Sequence, residues 1–228
     1  MKILITSGGT SEAIDQVRSI TNHASGRLGK IIAELALDRG HEVTLVTTKQ
    51  AVKPSKHANL HIITITNVDS LQVTLEPLVR AHHVLIHSMA VSDYTPVYMT
   101  DLVELEQTKD ITELLQKRNT ENKISSKEEY QVLFLKKTPK VISSIKKWNP
   151  DILLVGFKLL VNVSKDELFA VAHESLQRNN ADYIVANDLT DISDKEHVAY
   201  LISSTDTIQA RNKTEIAQLI LNTVEKGE

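Results

Sequence analysis

Gly8 and Gly9 follow a short apolar run, and Gly26 and Gly29 stand where an amphipathic pattern begins. Glycines at such points let backbone N–H groups come close to a phosphate, and a helix N-terminus adds a favourable dipole. The two pairs are sixteen residues apart, whereas the dinucleotide fingerprint packs its glycines into one turn. No Gly-x-x-x-x-Gly-Lys-Ser/Thr run occurs, which excludes a P-loop. Phosphate or nucleotide binding therefore stands against a reading as plain tight turns. Thr47-Thr48-Lys49 ends the second strand pattern, where an acid would be needed to hold the ribose of a dinucleotide. His82, His83 and His87 look like metal ligands, but Val84-Leu85-Ile86 between them reads as strand core, which splits the histidines between two faces. Ser88–Pro96 lies just past a central strand pattern, where open α/β sheets bind ligands; its small residues would let a ligand reach the backbone, and Asp93 can accept hydrogen bonds. The alternative is a loop with an Asp turn. Lys123 by itself reads as a solvated surface charge. Lys136, Lys137 and Lys140 can meet a polyphosphate or simply flank a helix opened by Pro139. Phe157, Lys158 and Asn187 stand at strand ends, and Phe157 can stack on a base or fill the core.

These candidates need a scaffold that brings strand ends together. Lys2–Thr6, Glu42–Thr47, Leu60–Ile65, His83–His87, Asp151–Val155 and Asp182–Ala186 are short apolar runs. Helical patterns opening after Gly26 and at about 69–81, 138–147 and 165–178 fall between or near them. The alternation predicts an α/β fold: a doubly wound, Rossmann-like, mostly parallel sheet with helices on both faces. His197–Ser203 and Thr207–Ala210 flank a turn and predict a C-terminal β-hairpin, with a last helix over Lys213–Val224. Residues 96–136 break the rhythm. They read as a long flap inserted after the strand at 83–87, partly helical over Thr100–Thr120, with an added strand at Tyr130–Leu135. No repeat or linker divides the chain, so a single domain over 1–228 is expected.

The 26 Lys and Arg against 29 Asp and Glu leave a net charge of −3, no basis for a broad basic surface on nucleic acid or an anionic membrane. The absence of cysteine excludes a thiolate metal site, a disulfide framework and a cysteine nucleophile. No apolar run is long enough to span a bilayer, and Met1 leads directly into a strand pattern. A cytoplasmic protein is expected.

The run from Ser7 to Gly29, with Glu12, Asp15, Arg18, Asn22 and Ser25-Gly26-Arg27-Leu28-Gly29, closely resembles phosphopantothenoylcysteine synthetase (phosphopantothenate–cysteine ligase). The likeness continues through Ala90–Tyr94, Lys123–Ser126, Lys137–Lys140, Val155–Lys158 and Ala181–Asp188, in order along nearly the whole chain. The resemblance implies coupling of 4′-phosphopantothenate to L-cysteine through an acyl-nucleotide, with release of pyrophosphate, in coenzyme A biosynthesis. It implies Asn22 at the activated acyl group and Lys123 at the triphosphate. Gly8, Gly9, Ser25, Gly26, Gly29, Phe157, Lys158 and Asn187 would line the nucleotide, and Met89, Ala90 and Asp93 the substrate. It also implies Mg²⁺ and CTP as cofactors; ATP is the alternative, because Phe157-Lys158-Leu159 and the long flap resemble the ATP-preferring eukaryotic enzymes. A chain that begins at the synthetase motif looks like the stand-alone form, with a separate decarboxylase acting next. The resemblance further implies a homodimer, its sites near the interface and its flap mobile without nucleotide. A non-catalytic nucleotide-binding or sensing protein on the same fold, or an NAD(P)-dependent reductase, are the competing readings.

Overall fold

The first apolar run forms β1 (Lys2–Ser7), in which every residue after Lys2 is buried. Continuous apolar runs of this kind suit strands covered by helices on both faces. In the computed structural model of the protein, which describes residues 1–193 and 196–227, the chain then makes a small antiparallel hairpin, β2 (Ser11–Ala13) and β3 (Ser19–Thr21). Helix α1 (Arg27–Asp38), β4 (Glu42–Thr48), β5 (Leu60–Ile65), α2 (Val68–Ala81) and β6 (Val84–His87) follow. The flap contains β7 (Tyr94–Asp101), α3 (Leu102–Gln107), α4 (Ile111–Leu114) and β8 (Gln131–Lys137). The remainder comprises α5 (Ile142–Trp148), β9 (Leu153–Leu160), α6 (Lys165–Asn179), β10 (Tyr183–Asp188), β11 (Ala199–Ile202), β12 (Thr207–Ala210) and α7 (Lys213–Val224).

The main sheet has eight strands in the order β12-β11-β10-β9-β6-β1-β4-β5. From β10 to β5 all neighbours are parallel, while β11 and β12 add an antiparallel edge. The mostly parallel α/β sheet and the C-terminal hairpin are as the sequence predicts. Strand alternation divides the core into two layers. Ile3, Ile5, Val155 and Val185 pack with α1 and α7, whereas Leu4, Leu85, Leu154 and Ile184 pack with α2, α5 and α6. From β1 the chain runs outward to β4 and β5, then returns to the other side of β1 with β6. The crevice between the carboxyl ends of β1 and β6 is therefore the topological switch point, where such sheets hold ligands.

Two elements are absent from the sequence reading. The strand expected at 130–135 is present as β8, but its partner β7 is unexpected; the two pair antiparallel in a ribbon separate from the main sheet. Sequence pattern hides β7 because Pro96 interrupts it, and the pairing register shifts between Pro96 and Tyr98. The β2–β3 hairpin is also hidden. Its residues are mostly exposed or half-buried and carry no apolar alternation, with Glu12 the buried exception.

Candidate active site

The loops after β1 and β6 extend the sheet by one more rung. Gly9 and Ala90 form a parallel bridge; Ala90 N donates to Gly8 O at 2.9 Å, and Thr10 N donates to Ala90 O at 3.0 Å. Side chains lock the same junction. Thr10 Oγ1 donates to Ser92 Oγ at 2.9 Å and accepts from Ser92 N at 2.8 Å, all three groups being buried. Ser88 Oγ donates to Thr6 O at 2.7 Å. Asn22, at the foot of β3, donates from Nδ2 to Ala90 O at 3.3 Å, while its Oδ1 makes no hydrogen bond among the described residues. Gly8, Gly9, Asn22 and Ala90 thus come together at the switch point from three separate sequence segments.

Helix α1 opens on the same crevice. Its N-cap is Gly26 at φ +78°, which has no side chain to cap the helix. Among the described residues, the only side chain bonded to an N–H of its first turn is Ser25, whose Oγ accepts from Arg27 N at a long 3.4 Å. That leaves helix N–H groups and the positive end of the dipole available to an anion. The glycines there are required by space. A Cβ on Gly29 would lie 2.4 Å from Ser7 Oγ, and one on Gly8, itself at φ +84°, would lie 2.7 Å from Ala51 Cβ. Ser25 receives Val52 N on its carbonyl at 3.0 Å, which ties the helix entry to the turn after β4. Lys53 Nζ donates to the carbonyls of Thr48, Lys49 and Ala51 at 2.9–3.0 Å and so shapes the turn itself, while a Cβ on Gly8 or Gly26 would meet Ala51 Cβ at 2.7 or 3.1 Å.

The remaining sequence candidates are spread more widely. Alternation puts Phe157 and Asn187 on the α1 side of the sheet, where Phe157 packs against the core, but puts Lys158 beside Ala186 on the opposite side. A single ligand over α1 would therefore meet Phe157 and Asn187 and not Lys158. Met89 is 6% exposed, packs in the α2/α5 layer and donates its N–H to Thr6 Oγ1 at 3.3 Å. Asp93 is exposed and paired with Lys140. Lys123 lies on the flap and is exposed; its neighbours Asn122 and Ile124 are bonded to the β2–β3 turn. That turn also roofs a cavity of about 290 Å³ beside the ends of β4 and β5, lined by Ser11, Arg18, Ser19, Lys49 and Thr66 among others.

The histidines serve the scaffold. His82 bonds Leu78 O and Thr44 Oγ1, and His83 accepts from Lys2 N. His87 is buried against Thr6 Oγ1 at 2.8 Å, and burial pushes its pKa down to about 4. Burial likewise lowers His197 to about 4; its Nε2 lies 3.5 Å from Asn187 Nδ2, and its buried Nδ1 has no hydrogen-bond partner among the described residues. Sequence reading singled out Ser92 only as a small residue that lets a ligand near the backbone, and it singled out neither Thr10 nor His197 for these strand ends. Thr10 and Ser92 are single polar residues in loops, and nothing in their local pattern shows that the loops meet. Among the described residues, no three His, Asp or Glu side chains converge as a metal cage.

A family model for the DNA/pantothenate metabolism flavoprotein C-terminal domain matches residues 1–119 and 111–227. The coenzyme A biosynthesis bifunctional protein CoaBC of Thermococcus kodakarensis is 32% identical over 228 residues, covering 99% of this chain and 51% of that protein. The chain thus spans about half the length of the curated relatives it matches. The crystal structure of the DNA/pantothenate metabolism flavoprotein from Streptococcus pneumoniae is 55% identical, covers 100% of both chains and superposes with a TM-score of 0.96. The C-terminal domain of a CoaBC protein, at 24% identity over 99% of this chain and 94% of its own, shares the fold with a TM-score of 0.73.

Proposed function

The chain belongs to the DNA/pantothenate metabolism flavoprotein C-terminal domain family, and from that premise we propose that it is a ligase joining 4′-phosphopantothenate to L-cysteine. The substrate carboxylate attacks the α-phosphorus of a nucleoside triphosphate, pyrophosphate leaves, and the cysteine amine displaces the nucleotide from the acyl carbon. The observation that supports this best is the meeting of Gly8, Gly9, Asn22 and Ala90 at the switch point, beside the uncapped start of α1.

In this reading the open N–H groups of α1 receive phosphate oxygens, and Phe157 and Asn187 flank the nucleotide on the same face. Asn22 holds the acyl phosphate with an amide that can donate and accept without adding charge. Lys123 supplies positive charge at the triphosphate as negative charge builds on the leaving group. No protein thiol is needed, in keeping with a sequence that has no cysteine. The described residues offer no cage for a resident metal, so Mg²⁺ belongs with the triphosphate, whose oxygens and bound waters suffice for it. CTP is the proposed nucleotide, with ATP the alternative. We also propose that residues 1–228 form one domain, that a decarboxylation acts next on the product, and that the chain forms a homodimer. Leu102, Val103, Ile111, Leu115 and Tyr130 on the flap are exposed and give a second copy an apolar surface to cover.

Pyrophosphate release measured with phosphopantothenate, Mg²⁺ and each triphosphate in turn tests the reaction. Release that needs phosphopantothenate but not cysteine is expected. Binding of nucleotide without turnover would instead favour a sensing protein. Light scattering tests the assembly: a dimer is expected, and a particle of one chain mass with full activity at nanomolar concentration would overturn it.

A further inference from the structure

The flap holds Lys123 loosely. Between Leu115 and Tyr130 every described residue is exposed or half-buried except Ile124, which is 8% exposed. Ile124 and Asn122, the two neighbours of Lys123, are both fastened to the turn of the β2–β3 hairpin. Asp15 Oδ2 accepts from Ile124 N at 3.1 Å, and Arg18 Nη2 donates to Ile124 O at 2.9 Å. One ion pair therefore grips the N–H and the carbonyl of a single residue. On the other side of Lys123, Gln16 N donates to Asn122 O at 3.1 Å and Gln16 Nε2 to Asn122 Oδ1 at 2.8 Å.

The grip is itself rigid. The Asp15 side chain has no solvent exposure; it accepts from Val17 N and Arg18 N at 2.8 and 2.7 Å, and from Arg18 Nε and Nη2 at 3.0 and 2.6 Å. Charge-assisted, two-pronged contacts of this type are the stronger and more directional hydrogen bonds. At its root the hairpin is fixed to the main sheet. Ser11 N donates to Thr66 O at 2.8 Å, and buried Glu12 accepts from Val68 N at 2.9 Å at the positive end of α2. The same hairpin carries Asn22 directly after β3.

We propose that Asp15 is the positioning residue for Lys123, so that the hairpin turn, and not the β7–β8 ribbon, fixes where that lysine stands. The hairpin is then one arm with Asn22 at its root and Lys123 at its tip, and the flap delivers a charge that the arm receives. This rests on the reading of Lys123 as the charge at the triphosphate.

The test uses the whole chain with Asp15→Asn, Lys123→Gln and the two combined. Hydrogen exchange followed by mass spectrometry reads the clamp without activity. In Asp15→Asn, exchange at Ile124 is expected to quicken about tenfold, the loss of one charge-assisted hydrogen bond, while β1 stays unchanged. Pyrophosphate release should fall about tenfold or more in Asp15→Asn, and the double variant should be within about twofold of Lys123→Gln, since both substitutions remove the same function. Unaltered exchange at Ile124, or losses that multiply in the double variant, would overturn the proposal. Asp15→Ser keeps an acceptor for the turn and replaces Asp15→Asn if that variant does not fold. Should the unaltered protein release no pyrophosphate with any triphosphate, the ligase reading falls, and exchange at Ile124 alone decides the clamp.

Discussion

The edge of the main sheet and the flap are built on opposite principles. At the carboxyl edge, β1 and β6 end side by side in the middle of the sheet. Every residue of these strands after Lys2 is buried, and buried hydroxyls and backbone groups join their loops. In the flap, α3 buries no residue, and the ribbon strand β8 is half-buried at best. Local stability follows such differences in buried contact: core strands open only with global unfolding, whereas segments with few buried contacts open readily. Asn22 stands on the rigid side and Lys123 on the loose side. In the proposed site the acyl-binding geometry is then set by the sheet. Lys123, on a flap with little buried contact of its own, keeps its place through the clamp of Asp15 and Arg18 on Ile124.

The comparison is tested most strongly at Asn22. Asn22→Asp removes the Nδ2 donor to Ala90 O and sets an anion where an acyl phosphate would lie. A loss of about 2–4 kcal/mol in transition-state stabilisation is expected, by analogy with a deleted oxyanion donor, which is a fall of about one and a half to three decades in turnover. Because Asn22 is exposed, thermal unfolding should hardly move. Turnover within a few-fold of the unaltered protein would remove Asn22 from the site.

The edge should also carry its own pH signature. His87 is buried beside Thr6, and burial lowers its pKa from 6.5 to about 4. The unfolded chain therefore binds this proton more readily than the folded one. Stability from His87 is full above about pH 6.5 and declines as pH falls toward 4, by about 3 kcal/mol in all. His197 adds in the same direction. Urea unfolding measured between pH 7 and 4 should show this slope, and His87→Gln should flatten it by the larger part. An unchanged slope would mean that His87 is charged or accessible in the folded protein.

Helix packing at the edge comes next in size. Gly29→Ala forces a Cβ to within 2.4 Å of Ser7 Oγ and 2.5 Å of Ser7 Cβ. Helix α1 must move off β1, at about 1–3 kcal/mol for an overpacked contact. A lower unfolding midpoint with weaker nucleotide binding is expected. An equivalent change in the flap, Val103→Ala, should leave the midpoint within about 0.5 kcal/mol because Val103 is 56% exposed.

The same division explains what could be read from sequence. The parallel strands are continuous apolar runs, and the helices after Gly26 and over Lys213–Val224 show clear periodicity, so the sheet and its layers were legible. Gly8, Gly9 and Gly26 were legible because glycine spacing reports a backbone requirement, now visible as φ +84° and +78° at two of them. The ribbon was only half legible, since Pro96 masks β7 while β8 keeps an apolar pattern. The clamp at Asp15 was not legible at all as a contact. Asp15 and Arg18 are three residues apart and suggest a turn, but nothing local joins them to Ile124, more than a hundred residues later.

The smallest expected effect lies within the flap and marks the limit of the comparison. Glu104 is its one densely bonded carboxylate among the described residues: Lys117, Thr100 and Tyr98 all donate to it. These hydrogen bonds, Lys117 first, lower its pKa from 4.5 to about 2. Its contribution is therefore present above about pH 4.5 and is lost as pH falls through 2, a lower window than that of His87. Glu104 and Lys117 are 32% and 48% exposed, and such pairs contribute at most about 1 kcal/mol. Glu104→Gln should thus quicken hydrogen exchange in β7 and α3 by only about two- to fivefold at pH 7. Exchange in β1 and β6, and the global unfolding midpoint, should not change. If Glu104→Gln lowered the midpoint as much as Gly29→Ala, flap and sheet would unfold as one cooperative unit. The flap would then not open apart from the sheet, and the position of Lys123 would not depend on the Asp15 clamp alone.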